Sequence, residues 1–475
     1  MTTAHPAHGY IEDAFYPTTY FRELSPVWLN YVAAIRGAVP RILDDAFTYL
    51  ELGCGHAYST LVHAAAFPAA EFHACDFNAD CIAAGKTRAR DLAIRNVAFH
   101  QRAFGELIAE DLPAFDFIVL HGVYSWVDSA TRQSIRDLIR ARLEPGGLVY
   151  VSYNCLPGWS AEAPLRKLLI ELAASAESDA PARAEHAVRE LTRLGDSGLR
   201  YFRANPGARS AIDAYARSSS GYLAHEFLNV AWEPRYSIDV ADEMTEAGVR
   251  YLGSATLANN YDALTIDASA ASAISRLATT RQQQLATDFA VNRQFRRDVF
   301  VRETNAHANV DMGEVLGNVV VGCVSMPEAI DTTVQVPRGT ITFHEDFIDR
   351  LRASIGRGSM PLRELARAVA GSRGIEAQIV RNLLYLIAAG VLAPFAAPYS
   401  AGARRCLPEF ASETVARMFR YVAAGNSPGQ IASEIAGGGV ALQAVDAATA
   451  IEAVAGRQRA DTDLSPRLLR LGLLR

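Results

Sequence analysis

The feature that most constrains this chain of 475 residues is a short apolar strand that ends in an acidic residue and then turns through two glycines. The stretch runs from Thr48 to Ala57, with Glu51 near the end of the strand and Gly53 and Gly55 in the turn. Glycines at such a turn let backbone N–H groups approach a ligand at the carboxyl edge of a parallel strand, where open α/β sheets bind nucleotides. The pattern therefore predicts a nucleotide-binding α/β domain.

The residue after the loop separates two classes of nucleotide site that use such glycines. A dinucleotide fingerprint needs a third small residue five positions after its first glycine, so that the helix can pack on the strand. Tyr58 stands at that position and is too bulky. The arrangement E-x-G-x-G-x-A is similar instead to the first motif of the class I S-adenosylmethionine (SAM) methyltransferases, with Ala57 in place of the usual third glycine.

A second acidic strand end lies at the spacing that a nucleoside requires. The run Glu71–Asp76 is apolar and ends in an acid 21 residues after Gly55. In a βαβ unit this is the distance at which a carboxylate reaches ribose hydroxyls. Asp76 is also placed to cap the helix that starts near Ala79, and that role is compatible with ribose binding.

Further strands follow at the spacing of a doubly wound sheet. The runs Phe115–Gly122 and Pro145–Tyr153 are apolar and bounded by turn residues. Four strands with helices between them predict an α/β fold with a parallel sheet. A helix that ends in Ala-Gly leads into a predicted sixth strand at Tyr251–Gly253, and Asp298–Arg302 supplies the seventh.

The composition limits the partners and the compartment. A chain that is 50% hydrophobic can bury a large core, and its length is enough for about two to four domains. The net charge of −6 argues against a nucleic-acid partner. The N-terminus has no signal-peptide pattern and the longest apolar run is interrupted, so we expect a cytoplasmic protein that binds no membrane. The six cysteines form no C-x-x-C pair, and we expect no metal site.

Two segments outside the sheet are expected to lie near its carboxyl edge. Residues 1–39 are rich in aromatic side chains and predict a helical arm that packs on the core, covers the cofactor pocket or forms a homodimer contact. Residues from about 160 to 238 separate the fifth strand from the helix before the sixth, and they predict a helical insertion. Insertions at this edge are normally lids or substrate-binding segments.

The chain beyond the sheet domain, which we place at 40–305, is predicted to be mainly helical. Three predicted helices and a short strand follow one another in winged-helix-like order, at Phe343–Ser354, Pro361–Ala370, Glu376–Ala389 and Val391–Phe395. The third helix carries one arginine among apolar residues, whereas a DNA reader needs basic and amide side chains there. We therefore expect a packing or protein-recognition module at 306–400 and a helical region at 401–475, broken at Gly437–Gly439.

Five short strings resemble one bacterial family. They are HGVYSWV at His121–Val127, VSYNCLPGW at Val151–Trp159, YLAHEFLN at Tyr222–Asn229, YLGSATL at Tyr251–Leu257 and NRQFRRDVFVR at Asn292–Arg302. From about Tyr16 to Arg302 the chain is similar to the bacterial class I SAM-dependent methyltransferases that carry a methyltransferase regulatory domain, and it resembles the rickettsial-type protein-lysine methyltransferases. The resemblance implies SAM as the cofactor and methylation of lysine side chains in a protein or peptide substrate.

The motifs and the resemblance together assign the cofactor-binding positions. They are Glu51, Gly53, Gly55, Asp76, Phe77, Ala103, Phe104 and His121. After the third strand, predicted at Val97–Gln101, class I enzymes often place an acid that binds the adenine amino group, but here the sequence is Arg102–Glu106. Either Glu106 takes that role, or the adenine is held by Phe104 and backbone atoms.

The end of the fourth strand carries the predicted transfer chemistry. The segment His121–Tyr124 stands where amine methyltransferases often carry Asn-Pro-Pro-Tyr. Ring faces stabilise migrating positive charge without competing as nucleophiles. Tyr124, Trp126 and Tyr153 are therefore predicted to form an aromatic wall, and the alternative is that they are part of the core.

A lysine nucleophile must lose a proton before it attacks, because its free pKa is about 10.4. His225 and Glu226 in the insertion are the candidates for a base or for guiding the ammonium, and a structural His–Glu pair is the alternative. Two other functions compete with protein-lysine methylation. One is methylation of a small molecule or biosynthetic peptide, and the other is a catalytically silent SAM-binding scaffold.

Overall fold

The computed structural model describes residues 18–43, 46–176, 178–229, 231–304, 309–356, 358–371, 377–400, 410–426, 428–455 and 464–474 of the chain. Tyr10, Phe15 and Tyr16 of the predicted aromatic arm lie outside the described residues, and so does the side chain of His225. Cys406 also lies outside them, and the cysteines that are described are free thiols.

A seven-stranded sheet organises the chain up to residue 301. Its strands are β1 (Thr48–Leu52), β2 (Glu71–Asp76), β3 (Val97–Gln101), β4 (Phe115–Leu120), β5 (Leu143–Asn154), β6 (Arg250–Ser254) and β7 (Phe295–Val301). They lie in the order β3-β2-β1-β4-β5-β7-β6. Strands β1 to β5 run parallel, and β7 pairs antiparallel with both β5 and β6. The predicted doubly wound α/β sheet is confirmed, including its sixth and seventh strands.

Both faces of this sheet are covered, because alternate side chains of its strands point to opposite sides and most of them are apolar. Tyr49 and Phe117 belong to the apolar cluster on one face, and Leu50 and Ile118 belong to the cluster on the other. The helices up to β7 are α1 (Pro26–Ile35), α2 (Tyr58–Ala66), α3 (Ala79–Asp91), α4 (Ser129–Arg142), α5 (Ala163–Ala173), α6 (Ala180–Asp196), α7 (Arg200–Ala204), α8 (Pro206–Tyr215), α9 (Ser220–Phe227), α10 (Ser237–Glu246), α11 (Asp262–Thr265), α12 (Ala268–Ile274) and α13 (Thr280–Ala290).

Helices α5 to α9 form the helical insertion between β5 and α10. They share an apolar cluster of their own, which includes Leu169 and Ile212. The chain returns to the sheet where the Arg235 N–H donates to Asn154 O over 2.9 Å and the Leu156 N–H donates to Arg235 O over 3.0 Å. These hydrogen bonds hold the insertion at the carboxyl end of β5, the edge at which α/β sheets bind ligands.

The chain beyond the large sheet adds helices and small sheets. Its helices are α14 (Met312–Asn318), α15 (Glu345–Ile355), α16 (Leu362–Ala370), α17 (Ala377–Ala388), α18 (Glu413–Ala423), α19 (Ala444–Val454) and α20 (Leu464–Arg470). Its strands are β8 (Val320–Gly322), β9 (Thr333–Val336), β10 (Gly339–Thr342), β11 (Gly358–Pro361), β12 (Ala393–Phe395), β13 (Tyr399–Ser400), β14 (Gln430–Ser433) and β15 (Gly438–Ala441). The three helices and the strand predicted for 343–395 correspond to α15, α16, α17 and β12.

The prediction that Gly437–Gly439 merely breaks a helical tail is wrong. Two of these glycines begin β15, which pairs with β14 to form a hairpin at residues 430–441. A Cβ at Gly439 would lie 2.9 Å from atoms of both Tyr20 and Val62. Glycine therefore lets the hairpin pack directly on α2 and on the arm that precedes α1.

Candidate active site

The loop between β1 and α2 crosses the carboxyl edge of the sheet in a conformation that favours glycine. Gly53 and Gly55 have φ angles of +70° and +51°. A Cβ at Gly53 would lie 2.4 Å from Cγ2 of Val123, so a larger residue would require the neighbouring loop to move. The Gly53 N–H donates to Cys75 O over 2.8 Å, which ties the loop to β2. The loop is thus a close-packed backbone cradle at the end of β1.

Asp76, at the end of β2, connects this cradle to the next strand. Its carboxylate accepts hydrogen bonds from the Gly55 N–H at 2.8 Å and from the Asn78 N–H at 3.0 Å. The cap of α3 is Asn78, so the alternative in which Asp76 caps that helix is wrong. Burial raises the pKa of Asp76, and the two backbone hydrogen bonds oppose that shift. A carboxylate has about four acceptor positions, and those that remain are suited to a ribose diol.

A pocket with about 380 Å³ of empty space, part of it open to solvent, lies beside the cradle. Three predicted cofactor residues, Glu51, Gly53 and His121, line it. The other lining residues, which the sequence analysis did not identify, are Thr18, Thr19, Phe21, Cys54, His56, Tyr58 and Ser59.

Glu51 places a buried carboxylate at the wall of this pocket. The Thr60 hydroxyl donates a hydrogen bond to it. Burial raises the pKa of Glu51 to about 7, although the hydrogen bonds from Thr60 act in the opposite direction. The side chain therefore changes its charge near neutral pH. Its ionised form suits the cationic methionine end of SAM.

His121 and Phe21 also line the pocket. Their rings stack with centroids 3.8 Å apart, and Nδ1 of His121 is hydrogen bonded to the Tyr150 hydroxyl over 2.8 Å. Burial and the positive charge of Arg297 lower the pKa of His121 to about 3. The imidazole is therefore neutral and adds no positive charge to a site that is expected to receive a cation.

The candidate adenine contacts lie near the glycine loop and after the second and third strands. Phe104 is buried, and its ring is 3.9 Å from the position of a Cβ at Gly53. The Ala103 N–H donates to the Glu106 carboxylate over 2.9 Å, so that carboxylate already has a partner in its own loop. Phe77, next to Asp76, is 43% exposed. The two alternatives for the adenine, Glu106 or Phe104 with backbone atoms, both stay predictions.

These groups fit SAM in shape and charge. Glycine at position 53 lets Val123 pack directly on the loop, and the N–H groups of Gly53 and Gly55 hold the loop to Cys75 O and to the Asp76 carboxylate. Asp76 and Glu51 supply acceptors for the ribose diol and for a positively charged amino group. Phe104 offers an apolar surface to a base.

The three predicted wall aromatics lie in two places. Tyr124 and Tyr153 share one apolar cluster, and both are almost completely buried. The Tyr124 hydroxyl donates to the Glu243 carboxylate over 2.6 Å, and the Tyr153 hydroxyl donates to Asp298 over 2.6 Å. Neither ring is among the residues that line the pocket described above. Their part in methyl transfer stays a prediction.

Trp126, the third predicted aromatic, belongs instead to a cluster beneath the insertion. Its ring centroid is 6.4 Å from that of Trp232, which is 5.2 Å from that of Trp159. The Arg166 guanidinium lies 4.6 Å from the Trp232 ring and 5.8 Å from the Trp126 ring. The sequence strings that contain Trp126 and Trp159 were recognised, but no local pattern in the chain predicts that the two side chains belong to one cluster.

Glu226, one of the two predicted bases, lies in the electrostatic field of the same cluster. Burial raises its pKa to about 7, the positive charge of Arg166 opposes the shift, and the negative charge of Glu162 adds to it. Glu162 itself accepts hydrogen bonds from the Tyr215 hydroxyl at 2.5 Å and from the Gln294 side chain at 2.7 Å. A carboxyl group with a pKa near 7 is suited to exchange protons at neutral pH.

Two further features follow from the described residues. Among them, no group of three or more His, Cys, Asp or Glu side chains is arranged to hold a metal ion. Within the same ranges, no helix is long and apolar enough to cross a bilayer.

Comparison with protein families gives two matches. A family described as "Methyltransferase domain" matches residues 50–149, and a family described as "Predicted methyltransferase regulatory domain" matches residues 219–302. The first match contains most of β1 to β5, and the second contains β6 and β7. The region matched as regulatory therefore completes the sheet that the methyltransferase domain begins.

Individual proteins agree with these matches. The uncharacterized protein sll1526 of Synechocystis sp. is 34% identical over 359 residues, which cover 76% of this chain and 71% of that protein. The uncharacterized protein RP028 of Rickettsia prowazekii is 32% identical over 155 residues, which cover 33% of this chain and 61% of that protein. The structure of PKMT2 from Rickettsia typhi is similar with a TM-score of 0.68 at 20% identity, covering 91% of this chain and 87% of that one. The same protein in complex with AdoHcy gives a TM-score of 0.67, also at 20% identity, covering 92% of this chain and 88% of that one.

The first prediction concerns the ribose contact. Asp76→Ala removes a charged acceptor, which is typically worth about 1.5–3 kcal/mol, and should weaken SAM binding roughly 10- to 150-fold. Titration calorimetry measures the affinity, with Asp80→Ala on the exposed start of α3 as the matched control. Unchanged SAM affinity in a folded Asp76→Ala protein would contradict the assignment.

The second prediction uses the pKa of Glu51, which is about 7 because of burial. Below pH 7 the carboxyl group is mostly protonated and neutral, and above it the ionised group attracts the cationic cofactor. SAM should therefore bind about eightfold more tightly at pH 7.5 than at pH 6, if only the ionised form binds well. Glu51→Gln should bind more weakly and lose this dependence. An equally steep pH dependence in the glutamine variant would show that another group is responsible.

The third prediction concerns the Tyr124 hydroxyl, which faces Glu243 rather than the pocket. Tyr124→Phe keeps the ring and removes two hydrogen bonds, the one donated to the Glu243 carboxylate and the one accepted from the Arg136 guanidinium over 3.3 Å. Urea unfolding should show a stability loss of about 1–2 kcal/mol, while the methylation rate per folded molecule stays close to that of the wild type. A large fall in kcat without a loss of stability would instead give the hydroxyl a part in the transfer.

Proposed function

This chain belongs to the bacterial class I SAM-dependent methyltransferases that carry a methyltransferase regulatory domain, and we propose that it methylates lysine side chains of a protein substrate. The observation that carries the proposal is the carboxyl group of Glu226, whose pKa burial raises to about 7. It lies in the insertion that is anchored at the substrate edge of the sheet. The name of the structural neighbour PKMT2 also supports a protein acceptor.

The chain has to position a neutral amine and receive its proton. SAM, when bound, supplies an electrophilic methyl group, so catalysis depends mainly on alignment and on the charge state of the acceptor. A lysine is an ammonium ion at neutral pH because its free pKa is about 10.4. Glu226 attracts that ammonium and takes its proton, since its own pKa of about 7 leaves a substantial ionised fraction at pH 7.

The tryptophans beneath the insertion support a cationic substrate. Trp126 follows β4, whose end is the expected transfer position, and its ring belongs to the cluster that also contains Trp232. This cluster already accommodates a cation, because the Arg166 guanidinium lies over both rings. Aromatic faces attract an ammonium in the same way. We assign Trp126 to guiding the lysine towards Glu226.

We also propose roles for other residues and for the chain beyond the large sheet. Tyr124 and Tyr153 support the transfer position from the core side, and His225 assists Glu226. Residues 306–400 are a winged-helix-like module for protein recognition, supported by the order of α15, α16, α17 and β12. The protein acts in the cytoplasm on a protein or peptide.

Transfer of labelled methyl from SAM into a host lysate, followed by mass spectrometry, tests the proposed function. The expected result is label in lysine side chains of one or a few proteins. Asp76→Ala is the negative control, because it is expected to lose the cofactor. Label only in small molecules would replace the proposal with the small-molecule acceptor, and no label with intact SAM binding would favour the silent scaffold.

Replacement of Glu226 tests the proposed base. At saturating SAM, Glu226→Gln should lower kcat about 100-fold or more, because a positioned base typically contributes that much. The wild-type rate should rise with pH through about 7 as Glu226 loses its proton, and the variant should lack this inflection. Glu171→Gln, an exposed residue of α5 paired with Lys167, is the matched control and should behave as the wild type. Equal rates and pH profiles for Glu226→Gln and the wild type would remove Glu226 from the mechanism.

A further inference from the structure

The segment Thr18–Phe21, which we call the strap, forms one wall of the cofactor pocket. Thr18, Thr19 and Phe21 all line the pocket. The Phe21 N–H donates to Ser59 Oγ over 3.0 Å, and Thr18 Oγ1 is hydrogen bonded to Nδ1 of His56 over 3.0 Å. The strap is therefore fixed to the glycine loop and to the start of α2.

The Phe21 ring gives this wall an aromatic face at the end of β4. It is stacked on His121, at the strand end from which the sequence predicts the transfer chemistry. An aromatic face attracts a positively charged group, and the sulfonium of SAM is such a group. Among the described residues that line the pocket, Phe21 and Tyr58 supply the phenyl rings.

Tyr20 joins the strap to the other end of the chain. Its hydroxyl accepts a hydrogen bond of 2.7 Å from the Gly439 N–H, 419 positions away in the sequence. Gly439 lies in the hairpin at residues 430–441, and a Cβ there would be 2.9 Å from Cζ of Tyr20. The contact between strap and hairpin is close and specific to glycine.

The same hairpin meets the pocket lining and the arm at further points. The Gln430 N–H donates to the Tyr58 hydroxyl over 3.3 Å, and Tyr58 lines the pocket. The Ser25 hydroxyl donates to Gly437 O over 2.7 Å just before α1. The hairpin therefore contacts the strap at Tyr20, the chain that follows the strap at Ser25, and the pocket residue Tyr58.

We propose that the C-terminal hairpin latches the strap over the cofactor pocket through Tyr20, so that tight SAM binding depends on the C-terminal region. If the wall is in place only part of the time, the apparent affinity for SAM is the full affinity multiplied by the fraction of molecules in which the wall is in place. Tyr20 is thus a positioning residue that acts through Phe21. The proposal rests on the SAM-binding function of the chain and is independent of the identity of the methyl acceptor.

Tyr20→Phe in the full-length protein tests the latch. Loss of one buried hydrogen bond should weaken SAM and AdoHcy binding about 5- to 10-fold in calorimetry. Hydrogen exchange of the peptide that covers the strap should become faster in the variant without cofactor, and added SAM should slow it. The matched control is Tyr201→Phe, which removes the hydrogen bond that a tyrosine hydroxyl of the insertion donates to Ala161 O over 2.9 Å, outside the strap and the hairpin. It should keep wild-type affinity.

A second variant tests the role of Phe21 in the pocket wall separately from the role of Tyr20 in the latch. Phe21→Ala should weaken SAM binding directly while the Tyr20–Gly439 contact stays in place, and strap exchange should change little. Unchanged SAM affinity in Phe21→Ala would show that the strap does not form a wall of the SAM site. Unchanged affinity in folded Tyr20→Phe, or an equal loss in Tyr201→Phe, would overturn the latch, the second outcome because it indicates general destabilisation. These measurements need no methyl acceptor. A negative result would therefore overturn the latch without bearing on the proposed methylation of lysine.

Discussion

The hydrogen bond from the Gly55 N–H to the Asp76 carboxylate joins the two strand ends on which the cofactor site depends. It holds the loop after β1 against the end of β2, in a left-handed conformation that glycine adopts without strain. The same carboxylate keeps acceptor positions for a ribose. One side chain therefore shapes the backbone cradle and is predicted to bind the ligand, and burial in this position raises its pKa.

From this loop the site extends along the carboxyl edge of the sheet. The end of β4 contributes His121, which burial and Arg297 keep neutral. The end of β5 holds the insertion through backbone hydrogen bonds of Asn154 and Arg235. Among the described residues, the carboxyl groups whose pKa is raised to about 7 are those of Glu51 beside the pocket and Glu226 in the insertion. The proposed function uses the first for the cofactor and the second for the substrate.

Local sequence patterns predicted the parts of the fold that are formed by local interactions. Strands β1 to β5 follow from apolar runs bounded by turns, and the positions of Gly53 and Asp76 at neighbouring strand ends follow from their spacing in one βαβ unit. Phe21 was not identified as a pocket residue because its position depends on a ring contact with His121, about a hundred positions away. The hairpin at 430–441 was missed because its Gly- and Ala-rich sequence lacks the alternation that indicates a strand.

SAM is expected to lie between the Asp76 cradle and the Phe21 wall. A crystal structure of the full chain with AdoHcy tests this most directly. We expect the ribose diol to lie within hydrogen-bonding distance of the Asp76 carboxylate. We expect the amino-acid part of AdoHcy to lie between Glu51 and Phe21, with the strap in the position described above. AdoHcy bound away from Asp76, or a strap displaced from the occupied pocket, would contradict it.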